Sequence, residues 1–248
     1  MSQRILLLGV YGMEMVECGG ALAINAANGG HSFASIMLAR PEMQRDLHQA
    51  AEVLGIEQLF FNEFERGGVD LRPDYKLALC RVIRQTRPDI IITQDPQHSF
   101  EDLDPDRRPA MGLILEAIAL AGRDYGLEAM PELQPHPVAT LYYMSPSQPN
   151  CSVSLATVWQ KKEQAMDCLS SQMTFSGQHF SERLSEQEQQ ALCPGFAELP
   201  SDYHKGREVQ RAMDKALHLH TGLGSHSRFA LAEPYRRQGL FELNELMV

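Results

Sequence analysis

Four short apolar runs, each separated from the next by a helix-length segment, fill the first 95 or so residues. The runs are Ile5–Tyr11, His31–Ala39, Gln58–Phe64 and Asp89–Gln94. Between them Glu14–Gly29, Met43–Leu54 and Pro73–Thr86 carry apolar residues at helical spacing. Strands that alternate with helices leave few folds open, because parallel strands must be joined by crossovers. Ile90, Ile91 and Ile92 form a continuous β-branched run suited to a strand buried on both faces. The expected class is α/β: a Rossmann-like three-layer sandwich with a mostly parallel central sheet. Gly29-Gly30 and Gly55 stand where helices should end.

In such a sheet, chemistry belongs at the turn that follows the first strand. That turn offers Tyr11, Gly12 and Glu14, with no His and no Asp. The acidic stretch Asp95–Asp106 after the fourth strand reads as a loop, with Asp104 or Asp106 capping the helix Pro109–Tyr125. Val138–Met144 is a further strand and Ser145–Asn150 a turn. A short strand near Val153–Ala156 precedes an amphipathic helix over Val158–Gln172. The remainder, 173–248, reads as helices and loops over one end of the sheet, so the chain is expected to be one domain with its α/β core in 1–172.

Composition narrows function. A formal net charge of −10 disfavours nucleic acid and anionic membranes. No apolar run is long enough to span a bilayer. The N-terminus leads straight into a core strand, so no leader segment is expected. The five cysteines (Cys18, Cys80, Cys151, Cys168, Cys193) form no Cys-x-x-Cys pair, and a reducing cytoplasm is expected. Cys18 reads as a small core residue rather than a nucleophile. His218 and His220 are two apart and share no helix face, and each reads as a surface or hydrogen-bonded histidine. There is neither a Gly-x-Ser-x-Gly elbow nor a glycine fingerprint for dinucleotides after the first strand.

Several segments together resemble the PIG-L/LmbE-type zinc deacetylases. They are Cys18-Gly19-Gly20-Ala21-Leu22-Ala23 after the first strand, Thr93-Gln94-Asp95-Pro96, Pro105-Asp106-Arg107-Arg108, Trp159-Gln160-Lys161-Lys162, Ser171-Gln172 and Ala232-Glu233. Tyr142–Gln172 looks most like the 4-oxalomesaconate hydratase branch. The resemblance implies the fold inferred above, a zinc-dependent deacetylase or hydratase, and assembly as a homo-oligomer.

Its catalytic residues do not carry over. Aligned on Gly19-Gly20, Val10 stands at the first ligand histidine, Gly12 at the general-base aspartate, Met13 at the ligand aspartate, and Arg107 at the third ligand. A one-residue slip puts Tyr11 and Glu14 at the ligand positions instead. Zinc requires N, O or S donors with lone pairs, and arginine stays protonated. No cofactor is therefore expected, although the family uses zinc.

Three readings follow. The first is a metal-free family member binding a small carboxylate or sugar-like anion in the old cleft. The second is an enzyme with rebuilt chemistry acting on an unsaturated carboxylic acid or an N-acyl sugar. The third is a structural subunit. Glu14 and Asp106 are the candidate acid–base residues. Tyr11, Gly12, Asp95, His98, Arg107 and Arg108 are the candidate binding residues. Arg107-Arg108 would clamp a carboxylate, or else Arg107 would pair with Glu14, Asp95 or Asp106 in the space left by the metal.

Overall fold

The computed structural model describes residues 2–239. The first half follows the alternation closely. β1 (Arg4–Gly9), α1 (Glu14–Glu17), α2 (Gly19–Ala27), β2 (His31–Ile36), α3 (Pro41–Leu54), β3 (Gln58–Phe61), α4 (Pro73–Thr86) and β4 (Ile90–Gln94) come in order. Then come α5 (Pro96–Glu101), α6 (Arg107–Ala121), β5 (Thr140–Met144), β6 (Cys151–Ser154), α7 (Trp159–Asp167), α8 (Ser170–Arg183), α9 (Glu186–Leu192), α10 (Asp202–Thr221) and β7 (Ala232–Arg237). The seven strands form one sheet in the order β3-β2-β1-β4-β5-β7-β6. β1 to β5 are parallel, and β7 runs antiparallel to both β5 and β6. The α/β class with a mostly parallel sheet is what the strand pattern implies.

Side-chain alternation along β1 builds both halves of the core. Ile5 and Leu7 enter one cluster with Ile36 and Ile92, under residues of α2, α3 and α7. Leu6 and Leu8 enter the other with Phe33 and Ile91, under α4 and α6. The central strands are thus apolar on both faces.

Several boundaries shift, each for a local reason. β1 stops at Gly9 because the Val10 amide turns to donate to the Glu14 side chain. The single helix expected over Glu14–Gly29 is two, broken at Cys18. The helix expected over Val158–Gln172 ends at Asp167, and α8 starts afresh at Ser170. The acidic stretch Asp95–Asp106 is not simply a loop, since α5 occupies half of it. The sequence reading also missed β7, which slots between β5 and β6. A core boundary at residue 172 therefore cuts α8 and leaves out a strand that completes the sheet. Residues 240–248 of that C-terminal segment lie outside the described residues.

α8 and α10 pack backbone to backbone. A Cβ on Gly206 would overlap the Met173 carbonyl, and one on Gly177 would overlap the Asp202 carbonyl. Gly206→Ala should therefore cost about 1–3 kcal/mol by forcing the helices apart. Gly112 in the interior of α6 is the control. A Cβ there meets only Leu71 Cδ2 at 3.6 Å, so Gly112→Ala should be stabilising by up to about 1 kcal/mol. Urea midpoints of the two variants should move in opposite directions. A common direction would refute the close-packing account.

Candidate functional site

The strand order reverses between β1 and β4, the two strands that continue into α1 and α5. Glu14 is the first residue of α1 and is fully buried. Its side chain folds back over the end of β1, where Oε2 accepts from Val10 N at 2.7 Å. Gly9 makes room for it: a Cβ there would stand 3.3 Å from Glu14 Oε2 and 3.0 Å from Ile36 Cδ1. Glu14 Oε1 accepts from Arg107 Nη1 at 2.7 Å. Burial pushes the Glu14 carboxyl up to about 7, against the opposing pull of Arg107.

Arg107 is the first residue of α6 and is largely covered. Its Nη1 also donates to Gln94 Oε1 at 3.3 Å, and its Nε lies 3.3 Å from Asp102 Oδ2. Gln94 closes the ring by donating to the Arg107 carbonyl at 2.8 Å. The guanidinium sits 5.3 Å from the centre of the Tyr11 ring, with Arg66 on the same ring at 5.5 Å. Tyr11 donates to Asp104 Oδ2 at 2.9 Å, and Asp104 Oδ1 caps α6 by accepting from Arg107 N at 3.2 Å. Burial and the Asp104 carboxylate hold the Tyr11 phenol well above its ordinary range. Of the two capping aspartates expected, Asp104 does the work and Asp106 makes no side-chain cap.

The other predicted residues divide. Asp106 is buried, accepts from Gly67 N at 2.9 Å and lies 3.4 Å from the Tyr11 hydroxyl. It ties a neighbouring loop to the site. Asp95 caps α5 through Gln97 N and His98 N, and its Oδ2 accepts from Arg236 Nε at 2.8 Å. Arg107 thus pairs with Glu14 and Asp102, not with Asp95 or Asp106. His98 is half exposed, 3.8 Å from Asp102. Arg107 and Arg108, expected together as a carboxylate clamp, take different partners. Arg108 is exposed and donates instead to the carbonyls of Asp102 and Phe100, because adjacent residues on a helix start point apart.

The metal positions implied by the resemblance offer no donor set. Val10 is fully buried in the apolar cluster under α4 and α6. Met13 packs against the opposite cluster. A Cβ on Gly12 would meet Leu47 Cδ2 at 2.6 Å, so α3 covers the place where the family's general base would stand. Among the described residues no group of three His, Cys, Asp or Glu side chains is arranged to hold a metal ion.

A second polar cluster, not anticipated from the sequence, holds α1 in place. Lys162 on α7 is fully buried; its Nζ donates to the carbonyls of Val16 and Glu17 at the end of α1 and to Glu233 Oε1 at 3.2 Å. Glu233 on β7 accepts from Gly20 N at 3.1 Å and Ala21 N at 2.8 Å, at the start of α2. A cation therefore faces the carbonyl end of one helix and an anion the amide end of the next. Tyr235 donates to Glu233 at 2.9 Å. Asp214 Oδ1 lies 3.6 Å from Lys162 and 3.1 Å from His218 Nε2, while His218 Nδ1 meets the Ala232 carbonyl. His218 is indeed a hydrogen-bonded histidine, and Cys18 a fully buried core residue. The available signal was a lysine at a helix position that also carries Ala165 and Met166 inward.

No family model matches the chain. It is 28% identical over 139 residues to diacetylchitobiose deacetylase of Thermococcus kodakarensis, a match covering 55% of this chain and 49% of that protein. The chain thus spans about half the length of that curated relative. Among solved structures, a conserved protein from Thermus thermophilus superposes with a TM-score of 0.70 at 22% identity, covering 99% of this chain and 97% of that one. N,N'-diacetylchitobiose deacetylase of Pyrococcus horikoshii gives 0.70 at 13% identity, covering 95% and 84%. The 4-carboxy-2-hydroxymuconate hydratase of Pseudomonas putida gives 0.63 at 19%, covering 98% and 99%. The fold is shared with deacetylases and a hydratase.

Proposed function

We propose that this chain is a metal-free member of the PIG-L/LmbE superfamily, in which the Arg107 guanidinium replaces a catalytic zinc ion and the ancestral hydrolase or hydratase reaction is lost. The observation that carries this reading is the 2.7 Å pairing of Arg107 with the buried Glu14, at the position where the resemblance calls for a ligand histidine. A fixed cation there balances Glu14 and would repel a dication. Leu47 against Gly12 and the burial of Val10 in the apolar core support it, since apolar side chains surround both places.

Metal analysis tests this directly. Protein purified without chelator and dialysed against micromolar zinc should retain well under one equivalent. One equivalent surviving gel filtration, or an activity abolished by chelator, would sink the reading. The identity of any ligand belongs to the same proposal. Asp102 and Glu14 already occupy the Arg107 guanidinium, so a small carboxylate would have to displace Asp102 to bind.

One observation favours an active alternative with rebuilt chemistry. A buried carboxyl near 7 beside a guanidinium suits general acid–base work at neutral pH. On that reading an unsaturated carboxylic acid or an N-acyl sugar turns over in the presence of chelator, and Glu14→Gln abolishes the reaction. Turnover that survives Glu14→Gln would remove this alternative.

A further inference from the structure

We propose a second site, at the opposite end of the sheet, that binds a small neutral molecule with an apolar ring or chain and one polar end. A cavity of about 570 Å³ lies between α2 and β6, within the size range of small-molecule pockets. Its floor is the face of the sheet near the start of the strands. Ile5 of β1, Ile90 and Ile92 of β4, Tyr142 of β5, Tyr235 of β7 and Val153 of β6 all point into it. Five strands thus each present an apolar side chain to one space, and Ile24 of α2 faces them. α2 leaves this end of the floor open.

The lining also fixes the ligand's charge. Among the described residues no Lys, Arg, Asp or Glu lines the cavity. Its polar residues are all neutral, among them Gln3, Asn28 and Ser152. A charged ligand would lose hydration with no opposite charge to offset it, whereas a single hydroxyl or carbonyl needs only an amide or hydroxyl of the lining. The Tyr142 and Tyr235 rings meet edge to face with centroids 6.0 Å apart, which favours an aromatic body. Tyr235 also donates to Glu233, so an occupant pressing on it braces the clamp that holds α1.

Paired probes of matched shape test the assignment on the full chain. By calorimetry, 1-naphthol should bind with one site per chain and 1-naphthoate more than about tenfold more weakly, because the carboxylate would be stranded. Ile24→Trp, which fills the cavity from α2, should remove naphthol binding while the far-ultraviolet circular dichroism is unchanged. Asn28→Trp, at another point of the lining, serves the same purpose should the first variant misfold. The proposal is overturned if neither probe binds at millimolar concentration, if both bind equally, or if binding persists in a folded filled variant. It is equally overturned if affinity falls as protein concentration rises, since a second copy of the chain would then be the occupant.

Discussion

Arg107→Met should destabilise the protein by about 3–5 kcal/mol at pH 8.5 and by much less at pH 5, because it strands a buried carboxylate that acid neutralises. The sign follows from Glu14. Its carboxyl moves from an ordinary 4.5 up to about 7 in the folded protein, burial outweighing Arg107. Between those two values the folded chain holds a proton that the unfolded chain has released. Stability therefore falls as pH rises through 4.5 to 7 and levels off above, a loss on the order of 3 kcal/mol for the wild type. Removing Arg107 takes away the main force opposing that upward shift. The folded carboxyl then titrates higher still, and the decline continues beyond pH 7. Glu14→Gln should reduce the slope in this window, leaving the part due to Glu17, which burial also raises, and the double variant Glu14→Gln/Arg107→Met should recover most of the loss. Urea unfolding at pH 5, 7 and 8.5 measures all four proteins. An equal loss in Arg107→Met at pH 5 and 8.5 would show that packing, not charge, is what Arg107 supplies.

The parts of this site legible in the sequence are those set by local pattern. Ile90-Ile91-Ile92 marks a two-faced strand because nothing polar interrupts it, and Gly55 stops α3 because it adopts a left-handed φ of 75°. Val10, Met13 and Arg107 could be placed relative to the fold from short motifs alone. Their partners could not, because partner choice depends on where helices start. The switch of Arg108 away from the site follows from α6 beginning at Arg107 rather than at Pro109. β7 was missed for a different reason. Ala232–Arg237 contains Glu233, Pro234 and two arginines, and reads as polar loop. It is a strand only because β5 and β6 supply its hydrogen bonds and Lys162 and Asp95 supply partners for Glu233 and Arg236. Tertiary context overrides propensity there.

Lys162→Met should give a comparable loss, about 3–5 kcal/mol at pH 8.5, with part of it recovered at mildly acidic pH as the stranded carboxylates take up protons. Lys162 is the cation shared by Glu233 at 3.2 Å and Asp214 at 3.6 Å. Burial works against its charge, but the two carboxylates overcome that and hold the ammonium above its ordinary range. Asp214 responds in kind: burial opposes its ionisation, yet Lys162 and His218 hold it below the usual carboxylate range. Without Lys162 burial is opposed only by His218, so the Asp214 carboxyl rises and mild acid relieves part of the loss, as it does for Glu14 in Arg107→Met. Asp214 Oδ2 is already buried without a hydrogen-bond partner, and losing Lys162 leaves the carboxylate only His218. The methionine also removes both hydrogen bonds to the α1 carbonyls, while Glu233 still caps α2. Amide exchange should therefore speed up through α1 more than through α2. Glu233→Gln in the Lys162→Met background should restore part of the stability by removing one stranded charge, giving a coupling above about 1 kcal/mol in a double-mutant cycle. Additive losses, or a Lys162→Met variant within about 0.5 kcal/mol of wild type, would mean that the cluster is incidental to how α1 holds Glu14 against Arg107.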